Sequence, residues 1–360
     1  MTVRNTGEDS YFAASNSASG FHSYYAECFD DPRIDHVYAV KGGPGTGKSR
    51  FLREAAEAAS THGWQTEYIY CSSDPTSLDG VILTAPMRCI ALLDATAPHV
   101  YEPRLPGARE ELVDLGAFWD SARLQNDRAE IEEIYQRKSE AYRRAYRYLS
   151  GAGEMQQLHA RVVAPYIRLP AIEGLAERLM REIPSGEGYR MQPALIGSIG
   201  MFGEVRLDGY FARAKTLYLI EDCHGAASYL LDAIGRIAVG KRLAVRLSHD
   251  PLDPSRLDGI FLCESRTAYA IGERESNTYP HHRIAMRRFV QTARMRRIRR
   301  AAVYAERMRR AMLGGAIEEL DRVREAHFEL ERIYMRAMDF EAKEKFTKDF
   351  CKRLLDLKKE

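Results

Sequence analysis

The chain lacks the cysteine spacing of a metal site or a disulfide framework. Its 360 residues include six cysteines, and none of them forms a C-x-x-C pair. Structural zinc sites and small disulfide-rich domains both depend on closely spaced cysteines. We therefore expect reduced thiols in a cytoplasmic protein. The six residues are Cys28, Cys71, Cys89, Cys223, Cys263 and Cys351.

The chain also lacks an excess of either charge and any long apolar segment. Its formal net charge is +2, so bulk charge indicates neither a nucleic-acid nor a membrane partner. No apolar run approaches the length of a transmembrane helix. Residues 1–20 are polar, so we expect no signal peptide. The length suggests two domains, or one domain with large insertions.

A glycine-rich loop stands between a short apolar strand, 36–40, and a helical pattern that begins near residue 50. The loop fits G-x-x-x-x-G-K-[ST], in which backbone N–H groups surround phosphate oxygens. The lysine is expected to contact the β- and γ-phosphates of ATP and the serine to ligate Mg²⁺. The predicted nucleotide-binding residues are Gly42, Gly43, Pro44, Gly45, Thr46, Gly47, Lys48 and Ser49.

An apolar run, 89–94, ends in Asp94 and is the candidate Walker B strand. In a parallel sheet its last residue lies at the same edge as the loop. Asp94 is therefore expected to share the Mg²⁺ shell with Ser49. The alternative is a strand followed by an ordinary aspartate turn.

Four further polar residues follow the predicted strands and are candidates for the same edge. Asp74 or Asp79 can orient water or an acceptor hydroxyl as general base. Equally, Asp74 can begin a turn with Pro75, and Asp79 can cap or precede another. Thr96 and His99 are candidates for contact with the γ-phosphate, although residues of this kind more often shape a loop.

From about residue 107 to 183 the pattern becomes helical. Apolar residues recur at helical spacing between 131 and 149, and Ser150–Gly153 resembles a turn. A second helix is then expected over 154–182, interrupted near Pro165 and Pro170. These features predict a helical hairpin attached to the nucleotide-binding domain.

The sequence repeats itself at a shift of 179 residues without a gap. Asp74-Pro75 falls on Asp253-Pro254, 78–80 falls on 257–259, and Asp94 falls on Glu273. The first strand matches at a shift of 180, so the second loop is one residue shorter. A weaker repeat relates the helical arms through three pairs of residues: His159 and His327, Tyr166 and Tyr334, and Arg168 and Arg336.

The second loop, 221–228, has lost the chemistry of the first. It has no lysine and one glycine, and Glu221 and Asp222 stand where phosphate would arrive. Like charges repel strongly in a closed site. We expect the second half to keep the fold without binding nucleotide by the usual mode. It can serve as a dimer-like face that closes over the first site, or as a regulatory domain.

A basic run lies within 287–310 in the second arm. Contact with an unknown protein or another anionic partner is one interpretation, with nucleic acid less favoured. The other is a solvated face balanced by the acidic stretch 318–321. The arginines are Arg287, Arg288, Arg294, Arg296, Arg297, Arg299, Arg300, Arg307, Arg309 and Arg310.

With these residues in view, the chain resembles a bacterial family of tandem P-loop ATP-binding proteins. The resemblance covers nearly the whole chain and implies ATP binding and ATPase activity. The family usually has a working loop in both halves, and this chain departs from it in the second. The residues that carry the resemblance are 41–49, 71–74, 77–81, 93–100, 106–108, 115–116, 119–120 and 334–340.

The sequence therefore predicts an α/β protein with a duplicated P-loop NTPase module. Each copy is a mostly parallel sheet flanked by helices, with a helical arm, and the second loop is degenerate. The predicted domains are 1–186, with its arm at about 107–183, and 187–360, with its arm at about 283–358. No membrane association is expected.

The leading function is slow Mg²⁺-dependent ATP hydrolysis coupled to movement of the arms, with Lys48, Asp74, Asp79 and Asp94 as catalytic candidates. One alternative is a nucleotide or small-molecule kinase, in which Arg104, Arg109 or Arg123 clamps an acceptor phosphate. The other is a module that binds ATP without consuming it.

Overall fold

The computed structural model describes residues 2–3, 9–99, 101–272 and 279–356. The elements of the first half are β1 (Thr2–Val3), β2 (Asp9–Phe12), β3 (Ala14–Ser17), β4 (Gly20–Ser23), α1 (Tyr25–Phe29), β5 (His36–Lys41), α2 (Lys48–Thr61), β6 (Gln65–Tyr70), β7 (Leu78–Ala85), β8 (Arg88–Asp94), β9 (Glu110–Asp114), α3 (Ser121–Asn126), α4 (Arg128–Val163) and α5 (Leu169–Met180).

The second half follows the same plan. Its elements are β10 (Arg190–Pro193), β11 (Gly197–Gly200), β12 (Gly203–Leu207), α6 (Gly209–Arg213), β13 (Thr216–Glu221), α7 (Ala226–Gly240), β14 (Ala244–His249), β15 (Leu257–Leu262), β16 (Thr267–Ile271), β17 (His282–Ala285), α8 (Arg299–Arg336) and α9 (Phe340–Asp356).

Two six-stranded sheets have the same strand order. The first is β2-β6-β7-β8-β5-β9, and the second is β10-β14-β15-β16-β13-β17. In each, the third strand is antiparallel to both neighbours and the remaining pairs are parallel. The predicted mostly parallel sheets flanked by helices are confirmed, and the matching orders are compatible with a duplicated α/β module.

Strand β7 overturns the alternative in which Asp79 caps or precedes a turn. Leu78–Ala85 is a buried central strand, and Asp79 and Gly80 interrupt its apolar pattern without ending it. Gly80 is required by close packing, since a Cβ there would lie 2.7 Å from the ring of Phe29. Because β7 is antiparallel, its first residues lie at the edge where β5 and β8 end.

The first arm also differs from the prediction. Residues 110–114 form the edge strand β9, so the helical region begins only at Ser121. The predicted turn at 150–153 is wrong, because α4 is one helix of 36 residues that continues through it. Its glycines serve packing: a Cβ on Gly151 would lie 2.7 Å from the sulfur of Met312, and one on Gly153 would lie 2.3 Å from Ala18.

The predicted hairpin is replaced by an antiparallel pair made of α4 and α8. Arg137 of α4 forms an ion pair with Glu329 of α8, and Arg144 forms one with Glu319. Buried apolar residues of both helices meet along the same line. The two arms therefore run side by side, and the end of each lies beside the start of the other.

The helix that follows each arm covers the sheet of the other half. Ile172 and Ala176 of α5 are buried against α7 in the second core. Phe350 of α9 is buried between Tyr38 and Phe51 in the first core. A division at residues 186 and 187 thus separates both helices from the sheets that they cover.

Within the ranges given above, no helix is both long and apolar enough to cross a membrane.

Replacing Phe350 with alanine tests the position of α9. We expect a loss of about 3 to 5 kcal/mol in the free energy of unfolding, because a large buried ring would leave a cavity in the first core. Urea unfolding at equilibrium measures it. Phe328→Ala is the matched control, since Phe328 is 40% exposed on α8, and we expect a change within about 0.5 kcal/mol. Equal effects would contradict this packing.

Candidate functional site

The glycine-rich loop connects β5 to α2 and has a backbone that only glycine adopts readily. Gly45 has φ 69° and Gly47 has φ 79°, both in the left-handed region. Gly47 is the residue before α2, so the loop leads directly into the positive end of a 14-residue helix. This geometry suits an anion held by backbone N–H groups.

Lys48 closes the loop on itself. Its ammonium donates hydrogen bonds to the carbonyl oxygens of Gly42 at 2.7 Å and Gly43 at 2.9 Å. It also lies 3.6 Å from the carboxylate of Asp94. Carbonyl oxygens are neutral acceptors, so much of the charge of Lys48 remains available to an incoming phosphate.

Asp94 ends β8, which is parallel to β5, as predicted. Burial raises the pKa of Asp94, and the neighbouring charge of Lys48 opposes that shift. Thr96 joins this carboxylate to the loop: its N–H donates to Asp94 at 2.8 Å, and its hydroxyl donates to the Gly42 carbonyl at 2.9 Å. Strand end, lysine and loop therefore form one connected unit.

Ser49 and Asp94 are the candidate Mg²⁺ ligands. The hydroxyl oxygen of Ser49 accepts a hydrogen bond from the Leu78 N–H at 2.8 Å, which fixes the serine against β7 and leaves a second lone pair. Among the described residues no group of three or more His, Cys, Asp or Glu could hold a metal. Mg²⁺ usually keeps several waters and substrate phosphates, so a hydroxyl and one carboxylate fit its requirements.

Asp79 lies at the start of β7 and forms a buried pair with His99. The Nε2 atom of His99 is 3.1 Å from the Asp79 carboxylate, and both side chains are 7% exposed. The ring of His99 stacks on Tyr25 at 4.3 Å. Burial alone would lower the pKa of His99, but the charge of Asp79 and the hydrogen bond to it leave that pKa raised. Asp79 also raises the pKa of Asp94, so this pair lies close to the metal candidates.

Asp74 is engaged in a local turn. Its carboxylate accepts hydrogen bonds from the N–H and hydroxyl of Thr76, at 2.9 and 2.7 Å, and from the hydroxyl of Ser77 at 3.0 Å. Asp253 makes the equivalent contacts with Ser255 beside the loop without a lysine. This recurrence favours the turn role over the general-base role for Asp74.

Residues of the second arm also lie against the loop, and no local sequence motif predicted them. Glu331, on α8, lies beside the loop, because its backbone carbonyl oxygen is 2.7 Å from the position of a Cβ on Gly45. The pKa of its carboxyl is lowered, mainly by its interaction with His327 and less by the nearby Gly45 N–H. His327 lies 3.5 Å from Glu331 and 3.2 Å from the ammonium of Lys138 on α4. A carboxylate from the second half therefore lies close to the loop N–H groups.

Two more side chains lie against the loop. The ammonium of Lys343, on α9, lies 3.5 Å from the position of a Cβ on Gly47, and its side chain is almost fully buried. The indole of Trp119 lies 3.2 Å from the position of a Cβ on Gly43 and packs on Tyr334. The weak repeat between Tyr166 and Tyr334 was the sequence signal for this region, but it gave no indication of contact with the loop.

The second loop is organised differently. The carboxylate of Asp222 accepts hydrogen bonds from the N–H groups of Gly225 and Ala227, at 2.7 and 2.8 Å. Glu221 pairs with Arg283. The two acids that seemed to repel phosphate are therefore already engaged, one with the loop itself and one with a cation. Glu273, which the repeat sets against Asp94, lies outside the described residues.

The arginines proposed to clamp an acceptor phosphate lie in three separate places. Arg109 precedes β9 and pairs with Glu110, at the sheet edge opposite the loop. Arg104 pairs with Asp30, and Arg123 donates to the carbonyl of Arg336.

In the basic run, Arg309 and Arg310 pair with Glu306. The acidic stretch pairs elsewhere, Glu319 with Arg144 and Arg322. Within the described residues, no ion pair engages the arginines between 287 and 300. The anionic partner stays a prediction.

The Asp79–His99 pair predicts a pH-dependent stability. Because the pKa of His99 is raised in the folded chain, its contribution is fully present below the unfolded value of about 6.5 and is lost as pH rises through the folded pKa. Melting temperatures of the native chain and of His99→Gln, measured from acidic to alkaline pH, should converge as pH rises. His282→Gln, at an exposed histidine, is the control. A difference independent of pH would contradict the pairing.

No family model, curated protein or solved structure matches this chain. What the site does must therefore be inferred from its own geometry.

Proposed function

We propose that the chain binds Mg-ATP at the first loop and hydrolyses it slowly, in step with movement of the arms. The observation that carries the proposal is the ammonium of Lys48, held on two loop carbonyls and 3.6 Å from a partly buried carboxylate. This combination of a glycine loop, a lysine and a strand-end aspartate is the arrangement that phosphoryl transfer uses.

Each group has a role in the proposed reaction. The loop N–H groups and Lys48 hold the phosphates and stabilise charge as the terminal phosphoryl group leaves. Ser49 and Asp94 would hold Mg²⁺, which would supply charge that neutralises the phosphates. Asp79 is the favoured group to orient the attacking water, because the oxygens of Asp74 are engaged in a turn and His99 can share the proton that Asp79 accepts.

Coupling to the arms is supported by Glu331. A phosphate at the loop would lie near this carboxylate, and like charges repel strongly at short range, so binding would favour movement of Glu331. Glu331 belongs to α8, which packs along the whole of α4. Displacement of Glu331 therefore moves or repacks the end of a helix whose start lies at the second loop.

We propose a cytoplasmic location and an anionic partner for the basic run, 287–310. The unpaired arginines support the partner. Kinase activity is not favoured, since the candidate clamp residues lie apart.

Lys48→Ala should reduce ATP turnover by at least about a hundredfold, because the cation that stabilises the transferred charge is lost. Phosphate release under steady-state conditions measures this. Lys215→Ala, at an exposed lysine of the second half, should leave turnover unchanged. Unchanged turnover in Lys48→Ala would remove the proposal. Turnover absent from the native chain, with ATP still bound, would instead support the non-hydrolysing module.

Glu331→Gln should strengthen ATP binding by about tenfold, or about 1.4 kcal/mol, because the competing charge is removed from the loop. The fluorescence of Trp119, which lies against Gly43, reports binding directly. Glu318→Gln, at an exposed position of the same helix, should bind ATP like the native chain. Weaker binding in Glu331→Gln would show that the carboxylate supports the nucleotide rather than competing with it.

A further inference from the structure

A cavity of about 740 Å³ lies at the second loop. It is lined by the loop before α7 with Gly225, the end of α4 with His159, the start of α8 with Arg307, the β14–β15 connection with Arg256, and the end of β16. Its size lies in the range of sites for small molecules. At the first loop the arrangement is reversed, because the start of α4 and the end of α8 lie there.

Binding by the usual loop mode is blocked here. Asp222 already accepts hydrogen bonds from the N–H groups of Gly225 and Ala227. The loop also has no lysine. A ligand in this cavity must therefore be held by side chains from outside the loop.

The remaining acids of the cavity are also engaged. Glu306 accepts hydrogen bonds from Arg309 and Arg310 at 2.6 to 2.9 Å, which lowers its pKa to about 2. Asp250 accepts hydrogen bonds from the N–H groups of Leu252 and Asp253, and burial raises its pKa. Two arginines therefore offset the charge of Glu306, whereas Asp250 and Arg256 interact electrostatically without forming an ion pair.

Arg256 places a positive charge at the start of α7, where the helix itself carries partial positive charge. Its guanidinium lies against Gly225, so that a Cβ there would be 2.5 Å from Nη2. That nitrogen donates to two neutral acceptors, the carbonyl of Gly225 at 2.9 Å and the hydroxyl of Ser228 at 2.7 Å. The start of a helix carries partial positive charge, which repels a cation. An anion beside Arg256 would reverse that repulsion.

Arg307 lines the same cavity and is exposed. Across the described ranges, neither Arg256 nor Arg307 forms an ion pair. A phosphate dianion can neutralise two guanidinium groups, whereas a single carboxylate neutralises one. The cavity is also large enough for a sugar and base beyond the phosphate.

We infer that this cavity binds a phosphate-bearing small molecule of mononucleotide size, held by Arg256 and Arg307 in place of loop N–H groups and lysine. The site is independent of ATP hydrolysis at the first loop. Because its walls include the end of α4 and the start of α8, occupancy would fix the helices that reach the first loop.

Calorimetric titration of the full-length Lys48→Ala protein tests the inference, since the lysine of the first loop is removed. AMP is added without Mg²⁺, and inorganic phosphate and adenosine are added separately. We expect one equivalent of AMP to bind, phosphate to bind more weakly, and adenosine not to bind. In the double variant, which carries both Lys48→Ala and Arg256→Gln, AMP should bind at least about tenfold more weakly, since a charge-assisted contact is lost.

Arg236→Gln is the matched control, because Arg236 lies on α7 and pairs with Glu173 outside the cavity; AMP affinity should not change. Arg307→Gln gives a second measurement if Arg256→Gln unfolds. No binding of AMP or phosphate at millimolar concentration, or binding unaffected by both arginine variants, would overturn the inference. Failure of the proposed function at the first loop would be seen in a separate titration, in which the native protein would bind Mg-ATP no better than the Lys48→Ala protein.

Discussion

The N–H groups at the starts of α2 and α7 favour a nearby anion, and each half places a carboxylate there in a different way. A helix start has donors without intrahelical partners and a partial positive charge. In the first half the nearby carboxylate is that of Glu331, on a helix of the other half. In the second half it is that of Asp222, which accepts two hydrogen bonds within the loop itself. The second carboxylate is therefore fixed by its own loop, whereas the first moves with a separate helix.

Features that depend on local sequence could be predicted. The glycine loop, the strand that ends at Asp94 and the repeat at a shift of 179 each follow from neighbouring residues, and the strand is where it was expected. The recurring Asp-Pro turns at Asp74 and Asp253 were likewise visible as a repeated motif. Such patterns encode short-range geometry, which a single sequence states directly.

Features that depend on distant contacts could not be predicted. Gly151 and Gly153 resembled a turn, because the need for a small residue comes from Met312 and Ala18. Strand β7 was not recognised because Asp79 and Gly80 interrupt its apolar pattern. Asp79 pairs with His99, and Gly80 leaves room for the ring of Phe29. Glu331 and Lys343 reach the loop from nearly 300 residues away in sequence. No periodicity connects such positions to the residues that they contact.

The exchange of α5 and α9 sets an order of assembly. The first sheet and its loop are synthesised early, but Phe350, which fills the first core, follows nearly 300 residues after Phe51. Until then the apolar face around Phe51 has no cover. A nascent chain that has not yet reached α9 therefore presents the first loop beside an incomplete core.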